Sequence, residues 1–225
     1  MMPKKSKMME ELYGSKVSDR VYERLQELDP ILNEEIQKIA YDHYWKLPGL
    51  SMRDKSLVTL VSLIVLHKEE QIRIHINGFI NSGGTYEDIF NMLIYLAEPN
   101  NIKASEKGFE ALINVLIERD EPKENLKNFQ NMFTENIKNI SQNKKDMILN
   151  ERDRHMITIA SCVALGVQEE IKASIKCFLQ KYPCSKDDLR NIFIHQIVYC
   201  GFPTAMNAFS ALKSVFDENR IIEKQ

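Results

Sequence analysis

An internal repeat is the sequence feature that most constrains the fold of this chain. Residues 50–112 recur at an offset of 99 positions, so that Arg53-Asp54 corresponds to Arg152-Asp153. One inserted residue near the paired glycines of the first copy then shifts the offset to 100. Because two copies are too few for a solenoid, the repeat indicates a tandem duplication of one structural unit. Further corresponding pairs are Thr59 and Thr158, Ile76 and Ile175, Asn91 and Asn191, and Phe109 and Phe209.

The hydrophobic pattern predicts helices throughout the chain, because apolar residues recur at helical spacing and no stretch alternates as a strand would. We expect an all-α protein with an N-terminal helical extension (1–48), a first repeat (49–118), a helical linker (119–148) and a second repeat (149–225). Residues 1–16 are expected to be frayed or loosely docked. The predicted helices are 17–28 and 30–45 in the extension, 51–66, 68–82, 85–97 and 103–117 in the first copy, and 150–165, 168–181, 185–200 and 203–217 in the second.

The segment 191–212 contains no Asp, Glu, Lys or Arg, although 28% of the chain is charged. We expect it to be buried in the core or in a subunit interface, and its polar residues argue against a membrane span. Gly201 suits a helix end, Phe202 precedes a proline, and Pro203 suits the first turn of a new helix. The sequence therefore predicts a tight corner whose following helix points N–H groups at a possible anion site. His195, Tyr199 and Cys200 lie close to this corner.

The composition excludes several function classes. A formal net charge of −2 gives no indication of nucleic-acid or anionic-membrane partners. The basic N-terminus is not followed by an apolar stretch, so it is not a secretory signal, and we expect a cytoplasmic protein with free thiols. The spacing of the cysteines fits neither a zinc site nor a Cys-x-x-Cys redox pair, and we expect no metal and no cofactor. The cysteines are Cys162, Cys177, Cys184 and Cys200.

His75 lies on an apolar helical stripe with Ile72, Ile76 and Phe79. An imidazole at such a position is either a hydrogen-bonded structural group or an acid/base group that opens into a cleft. The corresponding residue in the second copy is Ser174. One turn earlier in each copy lie Gln71 and Glu170, and a Glu four residues before a His can orient the imidazole.

The corner residues and the two Arg-Asp pairs also have two interpretations. Cys200 and Tyr199 are either ordinary core residues or parts of a site at the corner. Arg53 and Arg152 form intramolecular ion pairs or, alternatively, bind the carboxylate of a substrate.

Two ordered motifs resemble those of the carboxymuconolactone decarboxylase family. The first runs from Trp45 through the Arg53-Asp54-Lys55 triplet to His75 and Gly83, and the second is Tyr-Cys-Gly-Phe-Pro at 199–203 followed by Ala205, Asn207 and Ala208. The resemblance covers most of residues 17–217. It implies an all-α fold shared with alkylhydroperoxidase D-like proteins and assembly into rings. For a duplicated chain it implies a homo-oligomer, with a trimer favoured.

The resemblance also implies a lyase that acts on a small carboxylated lactone or related acid. In that interpretation His75 gives or takes the proton, Glu170 assists, Cys200 adjoins the site, and the corner formed by Tyr199, Gly201, Phe202 and Pro203 holds a carboxylate, with His195, Arg53 and Arg152 as further binding candidates. Because family members carry these features in a single copy, we expect a composite site that joins His75 of one copy to residues of the other.

Two alternatives remain open from the sequence. One is a degenerate, non-enzymatic oligomeric member of the family. The other is a thiol-dependent antioxidant with peroxiredoxin-type activity through Cys200. The peroxidase branch uses a Cys-x-x-Cys pair before the histidine, and this chain has Lys68 and Gln71 at those positions, so we expect inefficient hydroperoxide reduction.

Overall fold

The computed structural model describes residues 4–97, 101–139, 149–181 and 185–222. Within these residues all regular structure is helical and no strand occurs, which confirms the predicted all-α fold. Of the predicted free thiols, those of Cys162, Cys177 and Cys200 are unpaired, and Cys184 lies outside the described residues. The helices are α1 Lys7–Tyr13, α2 Ser15–Leu28, α3 Pro30–Glu35, a π-helical segment Ile36–Tyr41, a 3₁₀ turn Tyr44–Lys46, α4 Met52–Val65, α5 Glu69–Asn81, α6 Tyr86–Leu96, α7 Ile102–Glu118, α8 Lys123–Lys138, α9 Glu151–Leu165, α10 Gln168–Lys181 and α11 Lys186–Ile222.

Helices α4 and α9, which correspond in the repeat, pack against each other at the centre of the molecule. Residues 54–65 of α4 are all buried, since this helix is covered by α5, α7, α9 and α11. A helix that is apolar on every side must be enclosed in this way. The few polar residues of α4 are therefore buried too, and each requires a partner.

Two reciprocal ion pairs join the copies at this central contact. The guanidinium of Arg53 donates to both carboxylate oxygens of Asp153, at 3.1 and 2.8 Å. Its counterpart Arg152 donates to both oxygens of Asp54, at 2.5 and 2.8 Å. Arg53 thus binds the aspartate that follows Arg152, and Arg152 binds the aspartate that follows Arg53. A local twofold relation between the two copies produces this reciprocal pattern.

A second reciprocal contact follows the same relation. The hydroxyl of Thr59 lies 2.9 Å from Nε2 of His195, and the corresponding Thr158 lies 2.8 Å from the hydroxyl of Tyr95. His195 and Tyr95 occupy equivalent positions in the two copies at the offset of 100. The threonine hydroxyl therefore contacts an imidazole in one of these two contacts and a phenol in the other.

The starts of the repeat helices are fixed by polar caps. The side chains of Ser51 and Asn150 accept from the backbone N–H groups of Asp54 and Asp153, and Thr85 forms a reciprocal capping box with Asp88. These side chains satisfy N–H groups that have no partner inside the helix. Ser185 accepts in the same way from Asp188 at the start of α11.

At the predicted corner the two helices meet in a kink at Gly201, and together they form the long element α11. Gly201 has φ 80° and ψ 163°, an angle pair that strongly favours glycine, and the residues on both sides are helical. Pro203 follows in the first turn of the second part, as expected. In the first copy the corresponding α6 and α7 are separate helices.

The expectation that residues 1–16 are frayed is wrong for most of the segment. Helix α1 packs against α5, and Met9, Leu12 and Tyr13 are buried in an aromatic cluster with Tyr41 and Trp45. Local sequence patterns could not indicate this docking, because the partners lie far away in the chain. The predicted linker 119–148 contains α8, whose Phe133 ring stacks on Phe109 at 4.0 Å, while residues 140–148 lie outside the described part. No helix in the described residues is long and apolar enough to cross a membrane.

Candidate active site

His75 of the first copy and Tyr199 of the second meet inside one chain. Their ring centroids are 5.2 Å apart and the rings are nearly perpendicular. The indole of Trp45 lies nearly parallel to the imidazole at 6.2 Å, and the ring of Tyr13 lies nearly perpendicular to it at 5.4 Å. The imidazole, which is 6% exposed, is therefore enclosed by three aromatic rings that come from three separate parts of the sequence.

The polar contacts of His75 are made by tyrosine hydroxyls. The Tyr13 hydroxyl lies 3.2 Å from Nε2 and 3.3 Å from Nδ1, and the Tyr41 hydroxyl donates to the Tyr13 oxygen at 3.3 Å. Burial lowers the pKa of His75 to about 3, because the charged imidazolium loses its hydration. Burial also raises the pKa of Tyr41 to about 12 and that of Tyr13 well above its ordinary value. At neutral pH these groups are uncharged.

His195, like His75, lies next to the rings of Trp45 and Tyr199. Its ring meets Trp45 edge-on at 4.9 Å, and its Nε2 contacts Thr59. The Nδ1 atom is buried and has no hydrogen-bond partner among the described residues. Burial, together with the nearby ammonium of Lys55, lowers the pKa of His195 to about 3. The indole N–H of Trp45 donates to the Tyr199 hydroxyl at 2.8 Å, which fixes a ring that contacts both imidazoles.

A cavity of about 250 Å³ adjoins His195. Its lining combines apolar side chains with Lys55, Arg190, Asn191 and the imidazole of His195. Its lining residues are Tyr44, Leu47, Pro48, Leu50, Lys55, Arg190, Asn191, Ile194 and His195. A cavity with an apolar wall and a few convergent polar groups is typical of a site for a small organic ligand.

Glu170 was predicted to assist His75, but the structure places it elsewhere. It is exposed on α10 and lies close enough to Cys162 to raise the pKa of that thiol, an effect second to burial. Burial is the cause that acts on the pKa of His75, with no contribution from a carboxylate. The site around His75 therefore contains tyrosines where a glutamate was expected.

The surroundings of Cys200 and of the two arginines indicate structural roles for these residues. Burial raises the pKa of the Cys200 thiol, although hydrogen bonds with Ser62 and Gln196 oppose this rise. A raised pKa disfavours the thiolate that thiol chemistry needs. Arg53 and Arg152 are engaged by Asp153 and Asp54, so the ion-pair interpretation describes them and a substrate carboxylate would have to displace a partner.

The corner residues do not form a single binding surface with the rest. Gly201 makes the kink, whereas Phe202 is 64% exposed and Pro203 is also exposed. Tyr199 and His195, which precede the kink, face the interior instead. No group of His, Cys, Asp and Glu that could hold a metal ion occurs in the part of the chain that the structure describes.

Three residues of this site were not identified as functional candidates from the sequence. No sequence pattern marks Tyr13 as a site residue, because the segment around it has no clear helical periodicity. Trp45 and Lys55 stand within the first motif, and Lys55 could have been noticed as a cation in the first turn of a helix whose later residues carry no charge. A cation at that end is unfavourable for the helix dipole, which indicates another purpose.

Comparison with known proteins places the chain among relatives of known chemistry. The profile of the carboxymuconolactone decarboxylase family matches two segments, residues 32–113 and 129–214. The 4-carboxymuconolactone decarboxylase of Acinetobacter baylyi is 27% identical over 95 residues, which cover 42% of this chain and 71% of that protein. The two matches coincide with the two copies of the repeat. The chain therefore belongs to the carboxymuconolactone decarboxylase family, whose characteristic segment it contains twice in tandem.

Proposed function

We propose that this protein is a lyase that removes the carboxyl group of a small carboxylated lactone or related acid by general acid/base chemistry. The observation that carries the proposal is the convergence of two uncharged imidazoles, His75 and His195, on the Trp45–Tyr199 pair beside a cavity with cationic groups. The name of the Acinetobacter relative supports the same reaction class.

The chemistry needs an acceptor for developing charge and a source of one proton. When the carboxylate leaves as CO2, the broken C–C bond leaves an electron pair, which an adjacent carbonyl can hold as an enolate. The carbon must then be protonated. With pKa values near 3, His75 and His195 are neutral at physiological pH and serve as hydrogen-bond acceptors or bases. The buried Nδ1 of His195 has no hydrogen-bond partner among the described residues, and the proposal assigns it as an acceptor for a polar group of the substrate.

The non-enzymatic alternative is favoured by one observation, the enclosure of His75 by three aromatic rings. In that alternative His75 is a structural histidine whose hydrogen bond to Tyr13 fastens the N-terminal extension to α5. The two functions differ in what substitution of the histidines does to activity.

The test measures CO2 release from 4-carboxymuconolactone and from a panel of related small acids. His75→Gln and His195→Gln are each expected to lower the rate by about a hundredfold, the usual contribution of an acid/base group. The control is His67→Gln, since His67 is exposed at the end of α4. A wild-type protein that releases no CO2 from any member of the panel would contradict the lyase and favour the non-enzymatic alternative, as would glutamine variants with wild-type rates.

A further inference from the structure

Lys55 is a buried cation without a carboxylate partner. It is 4% exposed, and no ion pair to it occurs among the described residues. Its side chain lies in the first turn of α4, where the partial positive charge of the helix end also opposes an ammonium. Burial lowers the pKa of Lys55. A buried charge without a counter-charge costs free energy, so its presence calls for an explanation.

The hydrogen bonds of Lys55 leave one N–H unused. Its Nζ donates to the backbone carbonyl oxygens of Trp45, at 2.7 Å, and Leu47. An ammonium group has three donors, so two are engaged and hold the group in a fixed direction. The third has no acceptor in the described part of the protein, and Lys55 lines the cavity that it shares with His195.

The other walls of the cavity define what can lie against Lys55. Leu47, Pro48, Leu50 and Ile194 form an apolar surface that suits a small ring. The Arg190 side chain is 61% exposed and belongs to the same lining, so it can attract an anion from solvent. The cavity thus offers one buried cation and one exposed cation, which also lies 4.0 Å from a carboxylate oxygen of Asp187.

We propose that Lys55 is a catalytic residue, which stabilises the enolate oxygen formed as CO2 leaves and then donates its free proton to the substrate carbon. This inference rests on the proposed lyase function. The carboxylate C–C bond breaks, its electron pair forms the enolate, and a proton moves from Nζ to carbon. Lys55 is left as a neutral amine and regains its proton from water. Since His75 and His195 are uncharged at neutral pH, Lys55 supplies the positive charge and the proton that they lack.

The first experiment measures binding without turnover. The probe is 5-oxotetrahydrofuran-2-carboxylate, a saturated carboxylated lactone, and its affinity is measured by titration calorimetry. Lys55→Met should weaken binding at least tenfold, while Lys46→Met, which removes an exposed lysine from the neighbouring 3₁₀ turn, should leave it unchanged. If Lys55→Met binds the probe as the wild type does, the inference is overturned whether or not the wild type is active.

Lys55→Arg separates the charge from the proton, and it is the informative variant if Lys55→Met does not fold. Arginine retains the charge and the bonds to the two carbonyls but cannot release a proton at ordinary pH. We expect near-normal probe binding and at least a hundredfold slower CO2 release. A wild-type rate for this variant would overturn the proton-donor role. The wild-type rate should fall as the pH rises through the lowered pKa of Lys55, and this alkaline decline should disappear in Lys55→Arg.

The two proposals fail in distinguishable ways. An inactive wild type whose probe binding depends on Lys55 would contradict the lyase and the proton transfer, while supporting the cavity as a binding site. An active wild type with unchanged Lys55 variants would contradict only the role of Lys55.

Discussion

At the scale of single residues, the neutral state of His75 and His195 links the site to stability. Both imidazoles are buried and both have a pKa near 3, whereas an exposed histidine titrates near 6.5. Between these values the unfolded chain binds protons that the folded protein does not. Folding stability must therefore fall as the pH is lowered through this interval.

The first prediction concerns this pH dependence. At pH 5 each of the two histidines is expected to reduce the free energy of unfolding by on the order of 1–2 kcal/mol relative to pH 7.5. Urea unfolding at both pH values measures the difference. His75→Gln should show a smaller loss on acidification than the wild type, because glutamine does not titrate. If the free energy of unfolding of this variant falls as much on acidification as that of the wild type, His75 is already protonated in the folded protein at pH 5.

Sequence reasoning identified His75 and His195 but not their surroundings. The helical stripe places His75 on a buried face, which is a local property of the sequence. The hydroxyl that contacts it belongs to Tyr13, 62 positions away, in a segment without a helical pattern strong enough to interpret. Glu170 was expected beside His75 because family members carry both features in a single copy, and the path of the chain places it beside Cys162.

At the scale of elements, the short connection before α4 shapes the cavity. Gly49 has φ 103°, and a Cβ atom at this position would lie 2.1 Å from Nδ2 of Asn191. The connection therefore passes the start of α11 at a distance that a side chain would not permit. Leu47 and Pro48 on one side and Asn191 on the other are both parts of the cavity wall.

The second prediction uses this close approach. Gly49→Ala should reduce the free energy of unfolding by about 2 kcal/mol or more, because backbone strain and a steric clash add together. Gly83→Ala is the matched control, since Gly83 has φ 94° but nothing within 4 Å of the added methyl group. Thermal and urea unfolding should show the larger loss for Gly49→Ala, and Asn191→Ala should restore part of it. Equal losses at the two glycines would contradict the clash.

The starts of helices could be predicted where the capping contact joins residues that are close in the sequence. Ser51, Thr85, Asn150 and Ser185 cap as expected because each needs only the residue three positions ahead. The segment 30–45 was predicted as one helix, yet the structure has α3, a π-helical segment and a 3₁₀ turn there. These changes accompany the packing of Tyr41 and Trp45 against α1 and Tyr199, which local pattern does not encode.

At the scale of the whole molecule, the reciprocal ion pairs fasten the two copies together. Asp153 is almost fully buried and Asp54 nearly so, while their arginines are partly exposed. Burial tends to raise the pKa of Asp54, but the hydrogen bonds from Arg152 and Ser51 outweigh it and the net shift is downward. The Asp54 carboxylate is thus expected to stay charged in the folded protein.

The third prediction removes one of these carboxylates. Asp153→Asn should reduce the free energy of unfolding by about 3 kcal/mol, because it leaves the Arg53 guanidinium without its main counter-charge. Urea unfolding measures the loss, with Lys213→Gln, which breaks an exposed pair, as the control that should change stability by less than about 0.5 kcal/mol. If both variants lost equally little stability, the central ion pair would contribute no more to the free energy of unfolding than a surface ion pair.

The fourth prediction concerns self-association, which the uncharged segment 191–212 suggests. Phe202 and Met206 lie one turn apart on α11 and are 64% and 67% exposed, although the rest of that segment is largely covered. Exposed apolar pairs of this kind are typical of subunit contacts. Light scattering should give a trimer for the wild type and a smaller species for Phe202→Glu with Met206→Glu. Met132→Glu, an exposed methionine on α8, is the control, and a monomeric wild type at micromolar concentration would contradict the prediction.

Trp45 is the single tryptophan of the chain, and it contacts both histidines of the site. Its intrinsic fluorescence therefore comes from this site alone, without any label or background from other indoles. The N–H bond to Tyr199 and the stacking on His75 both act on the emitting ring. Ligand entry into the adjoining cavity, or protonation of either imidazole, should change the wavelength or intensity of the emission. The protein thus carries its own optical reporter for stopped-flow and equilibrium titrations.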